Sequence, residues 1–449
     1  MNPKAMNLDA IQQYSNEFNA NPANQTVMNA LTQESLVKVG VNRKMVTRLD
    51  HHYSHKLKSN PITNQMNSGR CWLFAGLNTF RYPAMEKMKL ESFEFSQNYP
   101  MFWDKFEKAN YFLESVLNTL DEEASSRLVM HLMQNPVQDG GQWDMFVNLI
   151  KKYGVVPKTV MPESESSSST GAMVAMITAK LREYAAELRT AHEKGVSLET
   201  LRERKTAMMN TIYRMLCVHL GEPPREFYWQ WNDKDNIFHR EGSITPQAFF
   251  EKYVGFDLDS MVCLINAPTT DKPYNRLFTV DYLGNVVEGE IIRYLNVDIE
   301  LMKEAAKRQI AEDNRAVWFG CDVGKGLERV RGIMAEDTYD YAGIYGEPFT
   351  ADKASRLDYG QSQMTHAMVF TAVNIDENGK TTKWRVENSW DDKNGDKGFY
   401  IMTDAWFNEY MYEVVVEKQY VPAEILKVLE TEPIHLPPWD PMGALAAAE

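Results

Sequence analysis

The sequence predicts an α+β fold, helical through its first half and built of antiparallel strands in its second. Apolar residues recur at helical spacing up to about residue 220. From Met261 onward they gather instead into short extended runs, and Asn378-Gly379 between two of those runs is a hairpin-turn signal. Helices first and antiparallel strands afterwards is the α+β pattern.

Residues 1–60 read as a polar helical extension, with short apolar stripes at Leu8-Asp9-Ala10-Ile11 and Val27-Met28-Asn29-Ala30-Leu31. Loop signals gather at Ser59-Asn60-Pro61 and Asn67-Ser68-Gly69. The run Trp72 to Phe80 is apolar at helical spacing with few β-branched residues, which sets Cys71 at a helix N-terminus. A second loop, Asp139-Gly140-Gly141-Gln142-Trp143, opens another helix that stops near Tyr153-Gly154.

The low-complexity stretch Glu163 to Thr170 reads as a linker or exposed loop. Two helices follow it, one with a stripe of Leu181, Tyr184, Ala185 and Leu188, the other with Met208, Ile212, Met215 and His219. They form a helical hairpin over 165–225, whose methionines read as core and not as a cofactor box. Strands are expected around Met261–Ile265, Val317–Cys321, Met368–Val373, Trp384–Glu387, Phe399–Met402 and Glu413–Glu417. The organisation expected is an N-terminal extension (1–60), a helical half (61–164), a helical insertion (165–240), a β-rich half (241–430) and a C-terminal arm (431–449).

Composition narrows the function. The 449 residues carry a net charge of −14, which repels phosphate backbones and argues against nucleic acid as a partner. No run of about 18 apolar residues exists to span a membrane, and the first residues lack the apolar stretch of a signal peptide. Four cysteines without metal-ligand spacing read as reduced thiols, so a cytoplasmic location is expected.

Cys263 and Cys321 lie in apolar strands and Cys217 lies mid-helix, where a thiol is a small hydrophobe. Cys71 differs, because a helix N-terminus stabilises an anion and lowers a thiol pKa. Six residues earlier, Gln65 offers an amide donor. With the backbone N–H of Cys71 it supplies the two donors that a tetrahedral oxyanion needs. Among nine histidines only His366 immediately precedes a strand, from whose edge it can face a helix N-terminus. Asn388, in Glu387-Asn388-Ser389-Trp390 across the hairpin, can orient that imidazole, and Trp390 can shield the bond from water. Taken singly, each residue has a bland reading: a solvated glutamine, a surface histidine, a turn asparagine, a core tryptophan. Their joint occurrence points to nucleophilic acyl transfer.

The segment Gln65-Met66-Asn67-Ser68-Gly69-Arg70-Cys71-Trp72-Leu73-Phe74-Ala75 resembles the active-site segment of papain-type cysteine peptidases. Two departures stand out: Ser-Gly-Arg precedes Cys71, and His366 lies well beyond the about 130–150 residues expected downstream. Both resemble the bleomycin hydrolase/aminopeptidase C branch, as do Asp139 to Trp143, Val317 to Lys325, Trp384 to Trp390, Gly398-Phe399-Tyr400 and the tail Leu436 to Ala446.

The resemblance implies a papain-like core and a cysteine aminopeptidase acting on peptides with a free N-terminus. It also implies a homohexamer, no cofactor, and a C-terminal arm lying in the cleft. Gly140, Gly141, Trp390 and Ala446 become candidate substrate-binding residues. Prolines between Pro433 and Pro441 would keep the arm extended and reduce the entropy lost on docking. The chain continues past Ala446 as Ala447-Ala448-Glu449, and three readings stay open: these residues are trimmed, they occlude the cleft further, or the tail is placed so that Glu449 supplies the anionic charge. The alternatives are an endopeptidase or oligopeptidase with an open cleft, and a non-catalytic nucleic-acid-binding barrel.

Overall fold

The computed structural model describes residues 4–444. Its sheet is built around six antiparallel strands: β1 (Met261–Ile265), β2 (Val317–Cys321), β3 (His366–Ile375), β4 (Thr381–Glu387), β5 (Phe399–Thr403) and β6 (Met411–Glu417). They lie in the order β1-β6-β2-β3-β4-β5, so the hairpin β3–β4 is central and β6 is inserted between β1 and β2. All six coincide with runs expected as strands.

Side chains alternate across these strands, as the pleat requires. Trp318 and Val415 enter the apolar cluster shared with the helical half. Val317, Phe319, Val414 and Val416 enter a second cluster on the opposite face, closed by Met302, Ala305, Ala306 and Ile310 of the helix Ile299–Asp313. That helix has a regular start, with Asp298 accepting from the N–H groups of Glu300 and Leu301. Its mean hydropathy is low, because only one narrow stripe is apolar, and the periodicity reading passed over it.

The helical half is organised around the helix Cys71–Met88, which packs on β3. It is buried nearly all round, as its run of Trp, Leu, Phe and Ala demands, and ends at Lys89 in the left-handed region. The helices Asn98–Asn118, Trp143–Tyr153, Gly171–Glu193 and Leu198–Leu220 surround it. Met173, Ile177, Leu181, Leu188, Leu201 and Ile212 of the last two share one apolar cluster with Phe102 and Leu113. The helical hairpin therefore packs directly onto the main core.

Two expectations are corrected. Glu163 to Thr170 is not a linker: Ser164 and Ser167 form a reciprocal cap on a short helical turn, and Ser167 and Thr170 are buried. Composition misleads here because Ser164, Ser166 and Ser167 spend their hydroxyls on local and tertiary hydrogen bonds. Residues 227–244 form a two-stranded hairpin, Phe227–Asn232 with Phe238–Ile244, where no strands were expected. Trp229 and Trp231 stack on one face of it, an alternation interrupted by a register shift at Trp229/Gln230.

Candidate active site

Cys71 is the first residue of its helix, as the sequence suggested, and is fully buried. The turn before it is fixed by a closed set of bonds. Ser68 Oγ donates to the Gln65 carbonyl at 2.6 Å, and Gln65 Nε2 donates back to the Ser68 carbonyl at 2.6 Å. Arg70, buried beneath the site, donates to Ser68 Oγ at 2.8 Å and pairs with Glu163 at 2.9 Å. The Ser-Gly-Arg sequence is thus structural support for the turn that leads into Cys71.

Asp139 joins this turn to the glycine loop. Its carboxylate accepts from the Gly69 N–H at 2.9 Å and the Thr170 hydroxyl at 2.5 Å, and pairs with Lys105 at 2.7 Å. Burial alone would raise its pKa, but the Lys105 charge and these donors hold it well below the usual carboxylate range. Trp72 Nε1 donates to the Asp139 carbonyl at 2.8 Å. A Cβ on Gly141 would stand 2.5 Å from the Trp72 ring, so that position needs glycine for packing alone. Gly140 is held by its carbonyl, which accepts from the buried Lys108 ammonium at 2.6 Å.

His366 opens β3, opposite Cys321 on β2. Burial pushes the Cys321 thiol well up, and the charges of Asp322 and then Cys71 add to it. His366 Nε2 lies 2.9 Å from Asn388 Oδ1. That oxygen also accepts from the Ser389 N–H at 2.7 Å, so it can only be an acceptor and Nε2 must carry the proton. Nδ1 is then a bare lone pair, buried and without a hydrogen-bond partner among the described residues.

Burial drives the imidazole pKa down to about 4; the Asn388 bond opposes this, and the Arg329 charge adds to it. The ring is therefore neutral in neutral solution, in the form that takes a proton. Trp390 stacks on it, centroids 4.7 Å apart.

Gln65 and Asn388, distant in sequence, meet here. Ser389 Oγ donates to Gln65 Oε1 at 2.6 Å, and the Gln65 N–H donates to the Ser389 carbonyl at 2.9 Å. The amide of Gln65 is thereby fixed in orientation, with one of its two N–H bonds committed to Ser68.

A cleft of about 1000 Å³ is lined by Thr365 and Trp390, the chain neighbours of the His366 and Asn388 segments, by Gln363, Met364 and Arg329, and by arm residues from Pro438 to Pro441 with Gly443 and Ala444. The arm is held along its length. Ile434–Leu436 adds a parallel strand to Arg276–Val280, and the Trp439 ring lies 3.9 Å from the Arg127 guanidinium. Asp440 pairs with Lys272, and Gln142 Nε2 donates to the Ala444 carbonyl at 2.8 Å. Ala446, expected at the substrate, lies outside the described residues, as do the three that follow it. Arg329, Lys272 and Gln142 went unnoticed in the sequence, since a lone cation or amide in a loop carries no spacing signal. Among the described residues no cluster of His, Cys, Asp or Glu is suited to a metal ion. No described helix is long and apolar enough to cross a membrane.

The model of the peptidase C1-like family matches residues 5–443. The chain is 44% identical over 443 residues to aminopeptidase C of Streptococcus thermophilus, covering 99% of each. It is 43% identical over 455 residues to bleomycin hydrolase of Rattus norvegicus, covering 99% of this chain and 100% of that one. A crystal structure of pepw from Lactobacillus rhamnosis HN001 superimposes with a TM-score of 0.97 at 44% identity, over 99% of this chain and 100% of that one. The chain belongs to the peptidase C1-like family and is a cysteine peptidase.

Proposed function

We propose that this peptidase is an aminopeptidase, with Cys71 as nucleophile, His366 as base and acid, and Asn388 orienting the imidazole. Gln65 and the backbone N–H of Cys71 serve as oxyanion donors. The bare Nδ1 of His366 takes the proton from Cys71 Sγ, and the thiolate, at the positive end of its helix, attacks the scissile carbonyl. The carbonyl oxygen becomes an oxyanion facing the Gln65 amide. The imidazolium passes its proton to the leaving amine as the C–N bond breaks. Water, deprotonated by His366, then attacks the thioester; the acid leaves and Cys71 recovers its proton.

The observation that carries the exopeptidase reading is the arm in the cleft. With Asp440 anchored on Lys272 and Ala444 bonded to Gln142, backbone of the chain itself fills the stretch where further substrate residues would lie. Gly140 and Gly141 adjoin Gln142, which holds the arm, and Trp390 lines the cleft, which supports all three as substrate-binding residues. The names of the relatives, aminopeptidase C and bleomycin hydrolase, support the same reading. The free thiols of Cys217, Cys263 and Cys321 fit a reducing, cytoplasmic compartment. Assembly into a homohexamer rests on the family resemblance, and light scattering after size exclusion tests it.

The test of activity is hydrolysis of alanyl-aminomethylcoumarin, with and without an N-acetyl group, by wild type and Cys71→Ala. Cleavage of the free amine alone, by wild type alone, is the expected result. Equal cleavage of the acetylated substrate would make the enzyme an endopeptidase or oligopeptidase, and full activity in Cys71→Ala would overturn the nucleophile.

A further inference from the structure

Beyond the imidazole, the stack continues. Trp390 lies on His366, and the Arg329 guanidinium lies over the same indole, 4.5 Å from the ring centre. Arg329 sits in the exposed turn after Leu327–Glu328 and borders the cleft. Two neighbouring carboxylates are paired with other cations, Glu328 with Arg331 and Asp391 with Lys393, while the Arg329 charge also reaches Asp391 and the Tyr400 hydroxyl without forming an ion pair within 4 Å. A cation held flat on an aromatic ring, facing a cleft and without a carboxylate partner of its own, is a recognition element in search of an anion.

The chemistry says which part of a substrate passes it. The acyl portion lies toward the glycine loop, where Gln142 holds the arm. The leaving amine must lie at His366 Nδ1 to receive its proton, so the chain beyond the scissile bond runs past Trp390 to Arg329.

We propose that Arg329 selects a carboxylate on the leaving-group side of the scissile bond. Two groups can supply it: the side chain of an acidic residue just after the bond, or the terminal carboxylate of a short peptide. In both cases Arg329 donates a charge-assisted pair of N–H bonds to the two oxygens. This inference rests on the aminopeptidase reading and deepens it to a preference for acidic or very short leaving groups.

The test compares kcat/KM for alanyl-alanine, alanyl-alaninamide and alanyl-aspartic α-amide, with alanyl-aminomethylcoumarin as the uncharged reference. The enzymes are wild type, Arg329→Gln, Arg329→Lys and Arg329→Glu. An exposed ion pair is worth about a threefold to fivefold preference for the carboxylate-bearing substrates. That ratio is expected to fall to about one in Arg329→Gln, persist in part in Arg329→Lys and invert in Arg329→Glu. Because the readout is a ratio within one enzyme, a general loss of activity cancels. Preference for alanyl-alanine alone assigns the terminal carboxylate, and preference for the aspartic substrate alone assigns the side chain. A wild-type ratio of one, or a ratio unchanged in Arg329→Gln, overturns the proposal while coumarin release leaves the aminopeptidase reading standing. Failure to release coumarin from the reference substrate sinks that reading instead.

Discussion

Lys272 Nζ stands 2.9 Å from the Asp440 carboxylate, and both side chains are almost wholly removed from water. This pair ties the C-terminal arm to the body at the point where the arm turns into the cleft. Asp440 also caps that turn, accepting from the Met442 N–H at 2.8 Å. Removing one charge from a buried pair costs more than the pair is worth, because the other charge stays buried. Asp271, 2.9 Å from the same ammonium, retains part of the compensation. Asp440→Asn is therefore expected to destabilise by on the order of 1–3 kcal/mol and to loosen the arm. Cleavage of N-acetylated peptides should rise relative to free-amine substrates, read from the ratio of the two rates. An unchanged ratio, despite the lost stability, would mean the arm does not gate the cleft.

Asn388→Ala removes the acceptor that fixes the His366 tautomer. With Nε2 no longer held, the proton distributes over both nitrogens and the ring can turn from Cys71. A fall in kcat of about 10²-fold is expected, with little change in KM, since acid–base work in the transition state is lost and binding is kept. A loss confined to KM would remove Asn388 from the catalytic set.

Gln65→Ala deletes the side-chain oxyanion donor and is expected to lower kcat by about 10²–10³-fold. Gln65 also locks Ser68 and Ser389, so a structural collapse of the site is the competing cause. Alkylation of Cys71 by iodoacetamide separates the two, because displacement of iodide forms no oxyanion. Alkylation should stay within about threefold of wild type while peptide hydrolysis collapses. Parallel losses in both would assign Gln65 a supporting role only.

Much of this architecture was legible because the signals were local. Cys71 declares its helix N-terminus through the loop residues before it and the apolar run after it, and most of the six central strands are short runs rich in apolar residues, with Thr381–Glu387 the more polar exception. Asn378-Gly379 fixed the hairpin that carries His366 and Asn388 to one end of the sheet. What escaped was whatever depends on contacts distant in sequence. The serines of 163–170 look like a tether until Glu163 is seen under Arg70 and Thr170 on Asp139. The strand Ile434–Leu436 exists only because Arg276–Val280 offers it an edge. The resemblance to a family supplied the arm; no spacing rule would have led from Asp440 to Lys272.

Glu413, on β6, is buried, and its carboxyl accepts from the Cys263 thiol at 2.9 Å. Burial drives its pKa up to about 8; the thiol bond opposes this, and the neighbouring Asp144 charge adds to it. The sign follows from proton counting. Below about pH 4.5 Glu413 is protonated whether the chain is folded or not, and it contributes no pH dependence. Between about 4.5 and 8 the unfolded chain releases the proton while the folded chain keeps it, so rising pH favours unfolding by up to about 1.4 kcal/mol per unit. Above about 8 the effect is constant. Glu413→Gln keeps the shape and the acceptor but has nothing to ionise. Its urea midpoint should therefore fall less than wild type's between pH 5 and pH 8, and at pH 8 the variant should be the more stable by on the order of a few kcal/mol. Asp144, buried nearby and pushed up to about 6, leaves a smaller slope of the same sign in the variant. Parallel midpoints across that range would mean that Glu413 folds already ionised, with a counter-charge that its burial beside Cys263 does not provide.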